Sequence, residues 1–479
     1  MMTLEQAYAK TAAFVESIPK KERKRYGQFF TSKKSASFMA SLFTPDNNKT
    51  ALSILDAGAG TGLLTVALVE RLREKGYSGH IIVTCYETDE KVLPTLTANM
   101  QQLAERYSIE FTIRTENYLL ENEQQTQQYD YVIGNPPYLK IPKDAPEALA
   151  HPEVCHGAPN LYFIFWAKSI QQMKDGGELV YIIPRSWTSG AYFEKFRTFL
   201  FNNCVITNIH IFESRDKVFD GEAVLQETMI IKIQKTTEHP QNVMMSASTT
   251  AGFENLRNYE VPYSTVVAPN NFVFLVTNEE ESNALARINM LPETLATIDR
   301  KMHTGIIVDF RTREVLRSEP ERDTYPLLYS HHIQNGRIQW PDGRKDEYVK
   351  TDRKGYLQDN TDYLIVKRFT SKEEKRRLQC GIYLHSEHPQ YRYISTQNKV
   401  NFIKCQEPED AYGLYVLLNS TLYDTYYRIL NGSTQVNSTE INLMPVPSME
   451  NIKGMGRQLM AGGDMSENNC NNILEQWIR

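Results

Sequence analysis

Residues 53–62, Ser-Ile-Leu-Asp-Ala-Gly-Ala-Gly-Thr-Gly, combine a short apolar segment with a glycine-rich turn. The segment Ser53 to Asp56 predicts a β-strand, and apolar residues at helical spacing from Leu63 to Lys75 predict a helix. Glycines let the backbone approach a ligand closely, and a dinucleotide fold uses such a turn to hold a pyrophosphate. The stretch therefore predicts the first strand and helix of a cofactor-binding α/β domain, with three turn glycines: Gly58, Gly60 and Gly62.

Strand and helix patterns alternate through the first half of the chain. Helices are predicted at Leu93–Tyr107 and Leu161–Met173, the latter ended by Gly176-Gly177. Further strands are predicted at Ile81–Tyr86, Phe111–Arg114, Tyr129–Ile133, Glu178–Ile183, Ile206–Phe212 and Glu227–Ile233. This alternation predicts a parallel sheet with helices on both faces.

The pattern changes after Lys235, where residues 236–251 are polar and lack a clear period. This stretch predicts a boundary between a first domain, residues 1–240, and a second domain, residues 241–479. The second half is rich in tyrosine and turn residues, and Leu414–Leu430 is its clearest predicted helix.

The composition is that of a folded globular protein. With 41% hydrophobic and 23% charged residues, the chain of 479 residues is neither disordered nor fibrous, and its length predicts two or three domains. No apolar run approaches the roughly 18 residues of a membrane span, and six cysteines without a CxxC pair predict reduced thiols in a cytoplasmic protein. A net charge of -5 argues against a histone-like binder but permits a nucleic-acid enzyme with a local basic cleft.

The sequence Asn135-Pro-Pro-Tyr138 follows the predicted strand at Tyr129–Ile133. An amine conjugated to a ring is a poor nucleophile because its lone pair is delocalised. The Asn135 side-chain oxygen and the Pro136 carbonyl can accept the two amine hydrogens and draw the nitrogen toward sp3. Pro136 and Pro137 stiffen the loop, so these acceptors need little reorganisation, and Tyr138 can stack on the planar ring.

Glu87 stands at the end of the second predicted strand, where its carboxylate can accept the hydroxyls of a ribose. A glycine-rich turn and a ribose-binding acid suit NAD as well as other adenosyl cofactors. The Asn-Pro-Pro-Tyr loop is the motif that separates these possibilities.

Together these motifs resemble the gamma class of DNA adenine-N6 methyltransferases of restriction–modification systems, which use S-adenosylmethionine. The resemblance spans about residues 20–235, and its motifs stand in this order: Tyr26-Gly-Gln-Phe-Phe-Thr31, Asp56–Gly62, Glu87, Asn117-Tyr118, Asn135–Tyr138, Asn160-Leu-Tyr162, Gly176-Gly177 and Pro184-Arg-Ser-Trp187. It implies a Rossmann-like α/β catalytic domain with a mostly parallel seven-stranded sheet. An α+β target-recognition domain would follow it.

The resemblance also implies roles for individual residues. Those implied to contact the cofactor are Thr31, Asp56, Gly58, Gly60, Gly62, Glu87, Asn117, Tyr118 and Asn135. Phe219 matches the aromatic residue that sandwiches the flipped base against Tyr138, completing a catalytic set of Asn135, Pro136, Pro137, Tyr138 and Phe219. The chain departs from the family at Asn117, usually aspartate, and at Ser32, commonly proline, which predicts weaker or retuned cofactor binding.

The C-terminal half resembles, more weakly, the target-recognition region of methyltransferases of the PstI type, for which a short palindrome such as CTGCAG is the expected site. A basic cluster there predicts contact with DNA phosphates. Because Glu373 and Glu374 interrupt it, a solvated helix face is an equal alternative. The predicted DNA-binding residues are Lys367, Arg368, Lys372, Arg376 and Arg377.

The ten histidines show no zinc-binding spacing, so no metal site is predicted. His331-His332 is interpreted as a surface pair. Pro341-Asp342 followed by Glu347-Tyr-Val-Lys350 resembles a nuclease motif, but the spacing is too short to place two carboxylates and a lysine on adjacent strands.

The sequence thus predicts a DNA methyltransferase that transfers a methyl group to N6 of a flipped adenine in double-stranded DNA. It would be the modification half of a restriction–modification system, monomeric and cytoplasmic, with a restriction endonuclease as functional partner. Methylation of RNA adenine or protein glutamine is an alternative, as is a non-catalytic DNA-binding subunit. A fused nuclease is disfavoured because the chain shows no credible nuclease motif.

Overall fold

A computed structural model describes residues 3–18, 30–121, 128–157, 159–212, 228–268, 270–371, 373–430 and 434–478. The chain divides into two compact units, residues 1–277 and residues 278–479. The predicted boundary after residue 240 is therefore too early. Among the described residues, no helix has the length and apolar character needed to cross a membrane.

The first unit is built on one large sheet, which has nine strands among the described residues. Its order is β3-β2-β1-β4-β5-β7-β6-β8-β9, with β1 to β5 mutually parallel and β7 antiparallel between β5 and β6. The strands are β1 (Ala51–Ala57), β2 (His80–Tyr86), β3 (Glu110–Arg114), β4 (Tyr129–Gly134), β5 (Met173–Pro184), β6 (Val205–Phe212), β7 (Thr228–Gln234), β8 (Asn242–Ser248) and β9 (Arg257–Pro262). The predicted α/β class with a mostly parallel sheet is confirmed.

Two strands extend the predicted seven-stranded sheet and explain the later boundary. β8 runs parallel to β6, pairing Asn208 with Met244 through Phe212 with Ser248, and β9 returns antiparallel beside it. Within β8, Val243 and Met245 are fully buried while Met244 is 37% exposed. Polar neighbours hide this alternation in the sequence, which is why the stretch predicts a domain boundary and no strand.

Helices cover the sheet of the first unit. Ser32, where the related enzymes commonly have proline, caps α2 by accepting a hydrogen bond from the Ser35 N–H at 3.1 Å. Gly176 and Gly177 lie inside β5 and do not end the preceding helix, although the sequence predicts that they would. That helix ends before them, at Gln172. The helices are α1 (Leu4–Ser17), α2 (Lys33–Ser41), α3 (Leu63–Glu74), α4 (Leu93–Tyr107), α5 (Pro146–Ala150), α6 (Leu161–Gln172), α7 (Glu194–Asn203) and α8 (Tyr263–Val266).

The second unit mixes short strands with helices, as the α+β prediction requires. Its main sheets have the orders β11-β21-β18-β19-β15-β14 and β12-β16-β13-β20-β17, and β10 pairs with β22. The strands are β10 (Glu293–Thr294), β11 (Met302–Thr304), β12 (Leu316–Arg317), β13 (Thr324–Leu328), β14 (Ile333–Gln334), β15 (Arg337–Ile338), β16 (Tyr348–Lys350), β17 (Gln358–Asp359), β18 (Tyr363–Lys367), β19 (Cys380–Tyr383), β20 (Tyr393–Thr396), β21 (Val400–Lys404) and β22 (Pro445–Val446).

The helix predicted at Leu414–Leu430 is two helices. Ser420 interrupts it with extended backbone (φ -77°, ψ 153°), and its hydroxyl accepts the Tyr423 N–H at the start of the second helix. Serine competes with helix hydrogen bonding in this way and favours helix ends. The helices of this unit are α9 (Glu279–Asn289), α10 (Pro408–Asn419), α11 (Thr421–Leu430), α12 (Ser438–Asn442), α13 (Met449–Gly462) and α14 (Glu467–Trp477).

Candidate active site

A cavity of about 540 Å³ lies in the first unit, at the carboxyl ends of β1, β2 and β4. Parallel α/β sheets bind ligands at this edge. The β1–α3 turn contributes Gly58 and Gly60, the end of β2 contributes Glu87, and the end of β4 contributes Asn135 and Pro137. Residues that are far apart in the sequence therefore share one cavity.

The glycine-rich turn has left-handed backbone at all three glycines, with φ of 74° at Gly58, 55° at Gly60 and 77° at Gly62. A side chain is strained in this conformation. At Gly62 a Cβ would also stand 2.8 Å from side-chain atoms of Leu96 and Met100. Gly58 and Gly60 line the cavity, whereas Gly62 begins α3 and allows it to pack on α4.

Glu87 braces this turn. Its Oε2 accepts the Gly60 N–H at 2.8 Å and its Oε1 accepts the Asp89 N–H at 2.8 Å. Burial raises the pKa of the Glu87 carboxyl, partly offset by these backbone donors. The side chain lines the cavity, where the sequence predicted a ribose-binding acid.

Asp56 lies beneath the turn and is fully buried, and it is not among the residues that line the cavity. Thr65 donates a hydrogen bond to its Oδ2 at 2.7 Å, while Oδ1 has no hydrogen-bond partner among the described residues. Burial raises the pKa of this carboxyl from 3.8 to about 7. Asp56 and Gly62 thus support the turn without lining the cavity, and the cofactor contacts that the resemblance implies for them stay predictions.

The Asn-Pro-Pro-Tyr loop leaves β4 at the cavity edge. The Asn135 side-chain amide donates to the Thr31 hydroxyl at 3.1 Å, and both residues line the cavity. Tyr138 donates its hydroxyl to the Ile182 carbonyl at 2.8 Å, which fixes the ring edge-on to Tyr162. Phe219, the predicted second aromatic wall, lies outside the described residues.

Asn117 and Tyr118 follow β3 and also line the cavity. The buried Tyr118 hydroxyl donates to Gln172 at 2.8 Å, and its ring lies 5.3 Å from that of Phe165. Sequence reasoning missed several cavity-lining residues, among them Phe165 and Glu147. Phe165 lies on the correctly predicted α6, but helical periodicity cannot tell a core residue from a cavity wall. Glu147 lies on the short helix α5, in a stretch whose sequence carried no motif.

The predicted DNA-binding cluster lies in the second unit, from the last residue of β18 into the loop before β19, and its described part forms no helix face. Lys367 pairs with Glu374 at 3.2 Å, and Arg368 donates to the Asn398 carbonyl at 2.9 Å. Lys372 lies outside the described residues.

Arg376 and Arg377, at the end of this loop, make hydrogen bonds within the second unit. Arg376 donates to the carbonyls of Leu418 and Ser420, both at 3.1 Å. Arg377 is 0% exposed and donates to the Thr370 hydroxyl at 3.1 Å. The expected phosphate contact is wrong for Arg377, because a guanidinium without exposed surface cannot reach DNA.

A cluster of four side chains in the second unit brings together residues that sequence reasoning had set aside. Ligand atoms of His331, His332, Asp342 and Glu347 lie within 4.8 Å of one another. His332 is fully buried, so the expected surface position is wrong for His332, whereas His331 is partly exposed. The Tyr329 N–H donates to His332 Nδ1 at 3.1 Å, which places the ring proton on Nε2. That proton is donated to Glu347 Oε1 at 2.8 Å. In this arrangement both ring nitrogens of His332 are engaged in hydrogen bonds, Nδ1 as an acceptor and Nε2 as a donor.

The structure thus combines an α/β fold with a cavity at the carboxyl ends of parallel strands, beside an Asn-Pro-Pro-Tyr loop. Residues 59–219 match the model of the Eco57I restriction-modification methylase family. The type II methyltransferase M.BsuBI of Bacillus subtilis is 35% identical over 458 residues, which cover 91% of this chain and 90% of that protein. M.PstI of Providencia stuartii is 34% identical over 483 residues, covering 95% and 94%.

The chain therefore belongs to the type II methyltransferases of restriction–modification systems, and the resemblance predicted from its motifs is confirmed. Among solved structures, the type IIL restriction-modification enzyme MmeI in complex with DNA has a TM-score of 0.54 at 11% identity, covering 89% of this chain and 69% of that one. This likeness concerns the fold.

Proposed function

We propose that this chain transfers a methyl group from S-adenosylmethionine to N6 of an adenine flipped out of double-stranded DNA. It would act as the modification half of a restriction–modification system, protecting DNA from a cognate endonuclease. The observation that carries the proposal is the position of Asn135, which lines the same cavity as the glycine-rich turn and Glu87. The reacting amine and the cofactor must meet in such a place.

The cavity residues fit the cofactor. Gly58 and Gly60 bear no side chain at the cavity wall, so a ligand can approach the backbone there. Glu87 offers carboxylate oxygens to ribose hydroxyls, and Tyr118 and Phe165 offer aromatic surface to a base. When bound, S-adenosylmethionine supplies the methyl group on a sulfonium, which is a good leaving group. Neither a metal nor a covalent enzyme intermediate is then needed.

Asn135 and Pro136 would hold the two hydrogens of the adenine amine. The Asn135 amide nitrogen donates to the Thr31 hydroxyl, and in the proposed complex the side-chain oxygen of Asn135 would accept one of the two amine hydrogens. The hydrogen bond from the Tyr138 hydroxyl to the Ile182 carbonyl would hold the ring in place for stacking on the flipped base. The residues supply position and preorganised acceptors, which are the main terms in such a transfer.

The test is to map methylated bases across the genome of cells that express the wild-type chain, Asn135→Ala, or Asn48→Ala, an exposed asparagine of the same unit. We expect N6-methyladenine in one short sequence context with the wild type and Asn48→Ala, and none with Asn135→Ala. Cofactor binding by the purified Asn135→Ala protein should remain largely intact. No new DNA mark from a folded wild-type protein would contradict the proposal, and assays on RNA and protein glutamine would then follow.

A further inference from the structure

The Asn117 side chain, which replaces the usual aspartate of the family, is held on both sides. Its Oδ1 accepts the Leu119 N–H at 3.1 Å, and its Nδ2 donates to Glu147 Oε1 at 2.9 Å. The amide oxygen of Asn117 is therefore hydrogen-bonded to the turn after β3, and its amide nitrogen is hydrogen-bonded to a carboxylate of α5. An amide oxygen that already accepts a backbone hydrogen bond is a weaker acceptor than a carboxylate.

Glu147 brings a negative charge to the position where an aspartate is missing. Its side chain lines the cavity together with Asn117 and Tyr118. Among the described residues, the amide of Asn117 is its one hydrogen-bond partner, so Oε2 keeps its acceptor capacity. The sequence distance of 30 residues between Asn117 and Glu147 is closed by the fold alone.

We infer that Glu147 is the acceptor for the exocyclic amine of the cofactor's adenine, and that Asn117 positions it. This inference rests on the proposed use of S-adenosylmethionine. The pair would replace a single aspartate by a carboxylate delivered from another element. Glu147 is then a specificity residue, because a carboxylate accepts a hydrogen bond from an exocyclic amine but repels an exocyclic carbonyl oxygen at the same place.

The experiment compares the binding of S-adenosylhomocysteine and S-inosylhomocysteine by calorimetry. The second compound carries an oxygen where adenine carries its amine. The wild type should prefer the adenosyl compound by about ten- to a hundredfold, the usual effect of a hydrogen bond to a charged group. Glu147→Gln keeps an oxygen for the Asn117 amide, so a purely structural role would survive, but it offers an NH2 group that the inosyl oxygen can accept from. In Glu147→Gln, the ratio of adenosyl to inosyl affinity should fall to near one.

A matched control is Glu105→Gln, which removes the same charge from the exposed face of α4 and should keep the wild-type preference. A second test exchanges the pair. Asn117→Asp alone places two carboxylates where a 2.9 Å hydrogen bond now stands and should weaken S-adenosylhomocysteine binding at least about tenfold. Asn117→Asp combined with Glu147→Gln reverses the bond and should restore both affinity and adenosyl preference.

The outcomes separate two failures. If the wild type binds S-adenosylhomocysteine and Glu147→Gln keeps its adenosyl preference, the role of Glu147 is overturned while the proposed function stands. Stronger binding of S-adenosylhomocysteine by Asn117→Asp alone would also overturn the role of Glu147. If the folded wild type binds neither compound, the proposed cofactor is wrong, and the inference falls with it.

Discussion

The Asn135 amide donates a hydrogen bond to the Thr31 hydroxyl at 3.1 Å across 104 residues of sequence. This contact joins the segment before α2 to the loop after β4 at the wall of the cavity. The contact orients the Asn135 side chain, which in the proposed reaction accepts a hydrogen bond from the adenine amine. The Asn135–Tyr138 loop is thus held by Thr31, a residue for which the family resemblance implies a cofactor contact.

Removing this hydroxyl should impair methyl transfer. Thr31→Val keeps the shape of the side chain but takes away the acceptor of the Asn135 amide, so we expect kcat to fall about three- to tenfold, the effect of one net hydrogen bond. Thr31→Ser retains the hydroxyl and should stay near the wild type. Single-turnover rates and cofactor affinity, measured separately, check this. Equal activity of Thr31→Val and wild type would contradict the orienting role.

Tyr138 should contribute mainly through its ring. Tyr138→Phe loses the hydrogen bond to the Ile182 carbonyl but retains the aromatic face, so activity should fall only several-fold. Tyr138→Ala removes stacking on the base and should cost about ten- to a hundredfold. Methylation kinetics on duplex DNA and a fluorescence assay of base flipping distinguish the two variants. If Phe and Ala variants are equally impaired, stacking is not what Tyr138 provides.

The stability of the chain should depend on Asp130 in acid. Asp130 is 2% exposed and accepts from Lys49 at 2.7 Å and Lys174 at 2.8 Å. Burial alone would raise the pKa of its carboxyl, but the hydrogen bonds from Lys174 and Lys49 outweigh burial and lower it to about 2. Because the folded pKa is depressed, this stabilisation is fully present above the unfolded pKa near 4 and is lost as the pH falls toward 2.

The corresponding variant is Asp130→Asn. At pH 7 it should unfold more easily than the wild type by about 1–2 kcal/mol, and the difference should shrink between pH 4 and pH 2. Chemical denaturation at several pH values measures this. A difference that is constant with pH would show that the effect is steric and does not come from the charge.

Arg377 should matter for folding and leave DNA affinity unaffected. Its guanidinium is buried and lies 5.5 Å from the centre of the Tyr427 ring, so Arg377→Ala should lower the free energy of unfolding by about 2 kcal/mol. The salt dependence of DNA binding by the folded variant should be unchanged. Lys375 is exposed in the same loop, and Lys375→Ala should reduce the salt slope by about one if this loop contacts phosphates. A reduced slope for Arg377→Ala would contradict its buried role.

The sequence by itself determined the strand–turn–helix unit around Gly58, the succession of strands from β1 to β7, and the position of the Asn135–Tyr138 loop at a strand end. These follow from local periodicity and from glycine and proline backbone chemistry, which act over a few residues. Resemblance to restriction–modification methyltransferases also followed from the order of these motifs, because each stands at a fixed place in the fold.

Only the tertiary structure decided which side chains meet. It brought Glu147 to Asn117, placed Asp56 beneath the turn, and buried Arg377 and His332 where charge and polarity had suggested surface. It also placed residues 242–248 beside β6, although their polar sequence predicts a domain boundary. Burial and hydrogen-bond partners depend on elements distant in sequence, and no local pattern encodes which of them will pack together.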